Sequence, residues 1–132
     1  MLKITIPGAP IPKHRPRFSK KGYAYNDQKR ESQIISMIIR SQSNLTEPYN
    51  IPIHLDITFF MPIPKSLSLK KQKELDCKPH IKKIDIDNLL KFYLDCLVTA
   101  GNVIKDDAII CQIHAIKIYS QQPRTEINIS PF

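Results

Sequence analysis

No apolar run in this chain approaches the roughly 20 residues needed to cross a bilayer, and its first residues carry no signal-peptide pattern. Membrane and secreted classes are therefore poorly matched. Cys77, Cys96 and Cys111 are odd in number and show no C-x-x-C spacing, which argues against a disulfide framework and against zinc. Cys96 falls in a helical pattern and Cys111 in a strand-like one, so both are expected as buried thiols in a reducing cytoplasm. His14, His54, His80 and His114 are scattered, without metal-ligand spacing. Acidic residues are also few, 12 against 20 Lys and Arg, leaving a net charge of +8.

What remains is a basic chain of 132 residues, enough for one core and one domain spanning 1–132. Its hydrophobic share of 42% is ordinary for a globular protein, which excludes disorder as the default. Such a charge favours nucleic acid or another anionic partner and says nothing about fold.

Leu2, Ile4 and Ile6 alternate with polar neighbours as a first strand, ended by Pro7 and Gly8. Pro10, Pro12 and Pro16 then stand among Lys13, His14, Arg15 and Arg17, which predicts an extended basic segment over 8–22. That segment is either a phosphate contact or a solvated loop. Asn26 or Asp27 can cap a helix reaching about Gln42, with Ile34, Ile35, Ile38 and Ile39 as its buried stripe. Residues 53–61 alternate cleanly as a half-covered strand, with Ile53, Leu55, Ile57, Phe59 and Met61 inward. A short Lys-rich helix over Leu69–Leu75 is capped by Ser66 or Ser68. A stronger helix runs from about Asp87 to Thr99 and ends at Gly101, with Leu89, Leu90, Tyr93, Leu94 and Leu97 on one face. Residues 109–119 read as a strand with a bulge near Ala115 and Ile116, and Thr125, Ile127 and Ile129 as a last one. Phe18, Tyr23, Tyr25 and Phe92 are expected in packing roles. The fold class is α+β, a small sheet with two main helices.

The acids concentrate in Asp85-Ile86-Asp87-Asn88 and Asp106-Asp107. Carboxylates repel phosphate, so their clustering in a basic protein makes physical sense when a divalent cation bridges acid and phosphate. Asp85 and Asp87 bracket a helix start, where the dipole favours them. Asp87, Lys91 and Asp95 share one helix face. A plainer account makes them an N-cap, a first-turn acid and a surface pair. A return strand in the same sheet can bring Asp107 beside Asp85 and Asp87, giving hard oxygen ligands suited to Mg²⁺. An EF-hand is excluded, because its third acid and its glycine are missing.

The segment Lys83 to Lys91, then Leu94-Asp95, Gly101, Asp106-Asp107 and Gln112-Ile113, resembles the RusA-type Holliday junction resolvases of bacteria and their phages. Pro7 to Arg17 and Met61-Pro62-Ile63-Pro64-Lys65 resemble the same family, so the likeness covers nearly the whole chain. The resemblance implies a homodimer with a mixed sheet flanked by helices. It further implies Mg²⁺ (Mn²⁺ as a substitute) held by Asp85, Asp87 and Asp107, with Lys91 as the essential basic residue of the site. Ile84 departs from the pattern, which has proline there.

The expected function is Mg²⁺-dependent resolution of four-way DNA junctions in recombination and repair, in the cytoplasm. Lys13, Arg15, Arg17, Lys82, Lys83 and Lys117 are the expected phosphate contacts. Three rivals stay open: a non-catalytic nucleic-acid-binding protein, a flap or branched-DNA nuclease, and a basic assembly protein that tolerates loss of the acids.

Overall fold

The computed structural model describes all residues except Pro16 and Asn26, and only the backbone of Arg17 and Tyr25. Strand β1 (Leu2–Pro7) is followed by the short strands β2 (Arg17–Phe18) and β3 (Ala24–Tyr25), helix α1 (Lys29–Gln42) and strand β4 (Ile53–Pro62). Helices α2 (Leu69–Leu75) and α3 (Ile86–Ala100) come next, then a 3₁₀ turn (Asp107–Ile109), β5 (Ile110–Ser120) and β6 (Arg124–Pro131). The main sheet has the order β1-β6-β4-β5. Its first two pairings are antiparallel and β4–β5 is parallel, making a mixed sheet in an α+β fold.

Alternation decides which face of the sheet is covered. Ile53, Leu55, Ile57, Phe59 and Met61 of β4 all point into the core, meeting Ile127 and Ile129 of β6 and Ile4 of β1. Each such side chain contributes roughly 1.5–3 kcal/mol by leaving water. α1 and α3 cover that face and pack on each other. A parallel pair needs a crossover connection, and α2 and α3 supply it. α2 buries nothing; Ser68 caps it, its hydroxyl accepting from the Lys71 N–H at 3.3 Å. Gly101, at φ +80°, ends α3 in the left-handed conformation expected of it.

Several expectations need correction. In α1 the buried side chains are Ile35, Ser36 and Ile39, whereas Ile34 is exposed. Ser36 can go inside because its hydroxyl bonds the Ser32 carbonyl at 2.6 Å. Asn26 as a cap lies outside the described residues, and the cap position falls on Gln28 rather than Asp27. The bulge sits at Cys111, not Ala115: Ile53 faces Ile110 but His54 faces Gln112. That displacement leaves Cys111 exposed, contrary to expectation, while Cys96 is buried and its thiol pushed up to about 11 by desolvation. The β2–β3 hairpin was not foreseen, and it leaves Phe18 and Tyr23 exposed rather than packed. Phe92 is buried as expected, and the Tyr25 side chain lies outside the described residues.

Candidate active site

Helix α3 begins at Asp85, whose backbone carbonyl accepts the N–H groups of Asn88 and Leu89 at 3.1 and 3.2 Å. An N-cap aspartate ordinarily spends its carboxylate on a free N–H of the first turn. This one makes no such bond. Asp87, in the first turn, takes the Asn88 N–H on Oδ1 at 2.9 Å. Both acids are exposed and stand at the positive end of the helix. They line one hollow of about 650 Å³ with His80, Lys82, Ile116 and Lys117. The plain account of Asp85 as a capping residue therefore fails at its side chain.

The backbone leading into Asp85 is unusual. Ile84 has φ +94°, where a β-branched residue costs about 1–3 kcal/mol. Proline, fixed near −65°, cannot adopt that angle. The position where the sequence likeness implies proline thus holds a shape that proline is denied. Lys117 Nζ donates to the Ile84 carbonyl at 2.7 Å and to the Lys82 carbonyl at 3.1 Å. His80 lies close by, its ring centroid 4.6 Å from that of Tyr119. Burial first, and the Lys117 charge second, hold the His80 imidazole below its ordinary pKa.

Asp107 is elsewhere in the subunit. It opens the 3₁₀ turn beyond the C-terminal end of α3 and lines a different hollow, about 580 Å³, with Lys13, Asp95, Thr99, Lys105 and Asp106. From Asp87 to Thr99 the helix rises about 18 Å. The chain regains the level of Asp85 only at Lys117, far along β5, so the return strand does not bring Asp107 beside the pair. Among the described residues no group of three or more His, Cys, Asp or Glu is placed to hold a metal ion. One chain offers a divalent cation two hard carboxylates at the α3 start, which suits Mg²⁺ with its retained waters. Asp107 is not one of that pair's neighbours within the subunit.

The two members of the later pair differ. Asp106 Oδ1 accepts the Ala108 N–H at 2.9 Å and caps the 3₁₀ turn. Asp107 is exposed, and no such bond engages its carboxylate among the described residues. Lys91, one turn past Asp87, is likewise exposed and outside every ion pair found among the described residues. Asp95 is committed to a salt bridge with Lys13.

That bridge is part of a clamp on the proline-rich segment. Its N–H groups are held at Ile11 by the Tyr93 hydroxyl (3.0 Å), at Lys13 by the Asn88 carbonyl (2.9 Å) and at His14 by Gln28 Oε1 (2.7 Å). Residues 10–15 form no helix, as expected, and dock on α3 and on Gln28 at the start of α1, whereas residues 19–22, expected to be extended, make the turn of the β2–β3 hairpin. Of the expected phosphate contacts, Lys13 and Lys117 are engaged within the chain, while Arg15, Lys82 and Lys83 are exposed. The Arg17 side chain lies outside the described residues. On the uncovered sheet face Asp56 sits 3.0 Å from ring nitrogens of both His54 and His114. Hydrogen bonding to His54, ahead of His114, lowers its carboxyl pKa despite some desolvation.

Fold and site together define a basic α+β domain with two exposed acids at a helix start, one of them, Asp85, making no capping bond with its carboxylate. The chain belongs to the RusA endodeoxyribonuclease family, whose model, described as endodeoxyribonuclease RusA, matches residues 7–130. It is 30% identical over 136 aligned positions to the uncharacterized protein YqaN of Bacillus subtilis (strain 168), covering 97% of this chain and 94% of that protein. Among the described residues no helix is long and apolar enough to cross a membrane.

Proposed function

We propose that the protein is a Mg²⁺-dependent endonuclease that resolves four-way DNA junctions as a homodimer, with each active site shared between two subunits. The observation that carries this reading is the pair of exposed acids at the start of α3, with the Asp85 carboxylate making no capping bond, in a chain of an endodeoxyribonuclease family. Asp107 is the third acid, reaching the pair from the second copy.

A two-fold pairing along β5 meets that requirement. Residues 77–80 bond to Tyr119 and Lys117 on the outer side of β5, but Ile110–Ile116 has no partner strand on that side among the described residues. An open edge of this kind is a template for pairing with another chain. Half-exposed Ile113 and Ile116 stand on it, with exposed Ile81 and Ile86 beside it, and apolar groups gathered at the surface mark association sites. Antiparallel apposition about the middle of β5 sets the start of one strand against the end of the other. Asp107 precedes the start, and the Asp85–Asp87 hollow flanks the end. A two-fold dimer with two sites also matches the two opposed cuts that a junction needs.

Mg²⁺, when bound, supplies Lewis acidity at the scissile phosphodiester. Asp85, Asp87 and the second copy's Asp107 contribute its carboxylate ligands. Lys91, which joins no ion pair among the described residues, places its ammonium where negative charge grows on the phosphate in the transition state. Arg15, Lys82 and Lys83 contact the DNA backbone. The setting is the cytoplasm of a bacterium or a phage-infected cell, and Mn²⁺ can substitute for Mg²⁺.

The test is cleavage of a synthetic four-way junction with MgCl₂, alongside a flap and a plain duplex. Wild type should nick the junction symmetrically and leave the duplex intact, while Asp87→Asn binds without cutting. Equal behaviour of the two proteins, or preference for the flap, would refute the reading.

A further inference from the structure

We infer that Lys117 is a positioning residue for the acid pair: its ammonium ties down the backbone in front of Asp85 and so sets the direction in which Asp85 and Asp87 present their carboxylates. This rests on the active-site reading above, and deepens it by naming a residue that touches neither metal nor DNA.

Lys117 lies on the β5 row that also carries Ile113, Ala115 and Tyr119, facing the helices. A lysine on that row must find acceptors for its ammonium. It finds two backbone carbonyls, of Ile84 at 2.7 Å and Lys82 at 3.1 Å. The same stretch is fixed to β5 by its backbone, through the His80 N–H on the Lys117 carbonyl at 3.0 Å. Side chain and main chain of one residue thus grip the loop at two points.

The grip matters because the held residue does not rest in a preferred conformation. Ile84, at φ +94°, is next to Asp85. Released, an isoleucine moves toward negative φ, and rotation there re-aims the residue that starts α3. Proline, whose ring fixes φ near −65°, cannot hold this angle; in this chain an external cation holds it. Ligand orientation by supporting contacts of this kind governs metal affinity. Lys117 consequently has little left for DNA phosphates.

The experiment is an amide-shift NMR titration of the full-length protein with MgCl₂, without DNA, for wild type, Lys117→Met, Lys117→Arg and Asp85→Asn. Lys117→Met keeps the aliphatic stem and should weaken Mg²⁺ binding on the order of 10-fold. Lys117→Arg, which keeps charge and donors, should stay within about 3-fold of wild type on the same scale. The His80 imidazole pKa, read from its ring resonances, should rise in Lys117→Met, since a neighbouring cation is gone. If Lys117→Met does not fold, Lys117→Gln carries the same comparison. Unchanged Mg²⁺ affinity in the Lys117 variant, with binding lost in Asp85→Asn, overturns this inference alone. Retention of Mg²⁺ by Asp85→Asn instead overturns the active-site reading.

Discussion

The two ends of helix α3 use their acids differently. At the C-terminal end Asp95 is paired with Lys13 and Asp106 caps a 3₁₀ turn, so both are spent on holding the chain together. At the N-terminal end Asp85 caps with its backbone and leaves its carboxylate unspent, on a segment that strains Ile84. Structural acids accept what the fold offers; an acid kept for a ligand makes the fold find another solution. Asp107 is the exception at its end, which makes it the candidate to serve the other end of a second copy.

The comparison breaks most sharply by substitution. Asp85→Asn and Asp87→Asn should each lower junction cleavage by more than about 100-fold, beyond what loss of a supporting residue costs, with junction binding preserved in a gel-shift assay. Lys91→Ala should lose roughly 10²-fold in kcat as a transition-state donor does, whereas Lys13→Ala, which removes a surface pair worth at most about 1 kcal/mol, should leave kcat within a few-fold. An Asp95→Asn variant as inactive as Asp87→Asn would erase the contrast between the ends.

Next in size is the division within the later acid pair. Asp106→Ala should cost about 1 kcal/mol of stability, the usual worth of a cap, visible in urea unfolding with little effect on Mg²⁺ affinity. Asp107→Ala should do the reverse. Phosphate contacts give a smaller effect: Lys82→Ala should reduce the slope of log K against log salt by about 1, while Lys13→Ala leaves it unchanged.

The smallest effect is on pH. The His80 pKa is lowered in the folded protein, so the unfolded chain binds more protons between that lowered value and 6.5. Stability from His80 is complete above pH 6.5 and declines as pH falls through that window. Thermal unfolding between pH 7.5 and 5 should show the decline, and Lys117→Met, by raising the His80 pKa, should reduce it.

Strands β4 and β6 were legible because alternation survives when one face is covered and the other wet. In α1 the periodicity named Ile34 for a place that Ser36 takes, since a serine that bonds its own helix behaves as a small apolar residue. β5 was harder. It is an edge strand with a bulge, and neither feature leaves a period-2 trace at Cys111. The two acidic motifs were legible, but the places to which the fold carries them were not. Spacing gives the length of chain between Asp87 and Asp107, not the level along α3 at which the chain turns back. The Lys117 tether left one readable sign, a lysine on a strand row otherwise occupied by Ile113, Ala115 and Tyr119.

The central claim is that the acids meet across two subunits, and mixing tests it most directly. Asp87→Asn and Asp107→Asn proteins, each inactive alone, should regain junction nicking when refolded together. Random exchange makes half of the dimers mixed, each with one intact site, so about a quarter of wild-type nicking should return, one strand at a time. A mixture as inactive as its parents, despite exchange of subunits, would contradict a site shared between two copies.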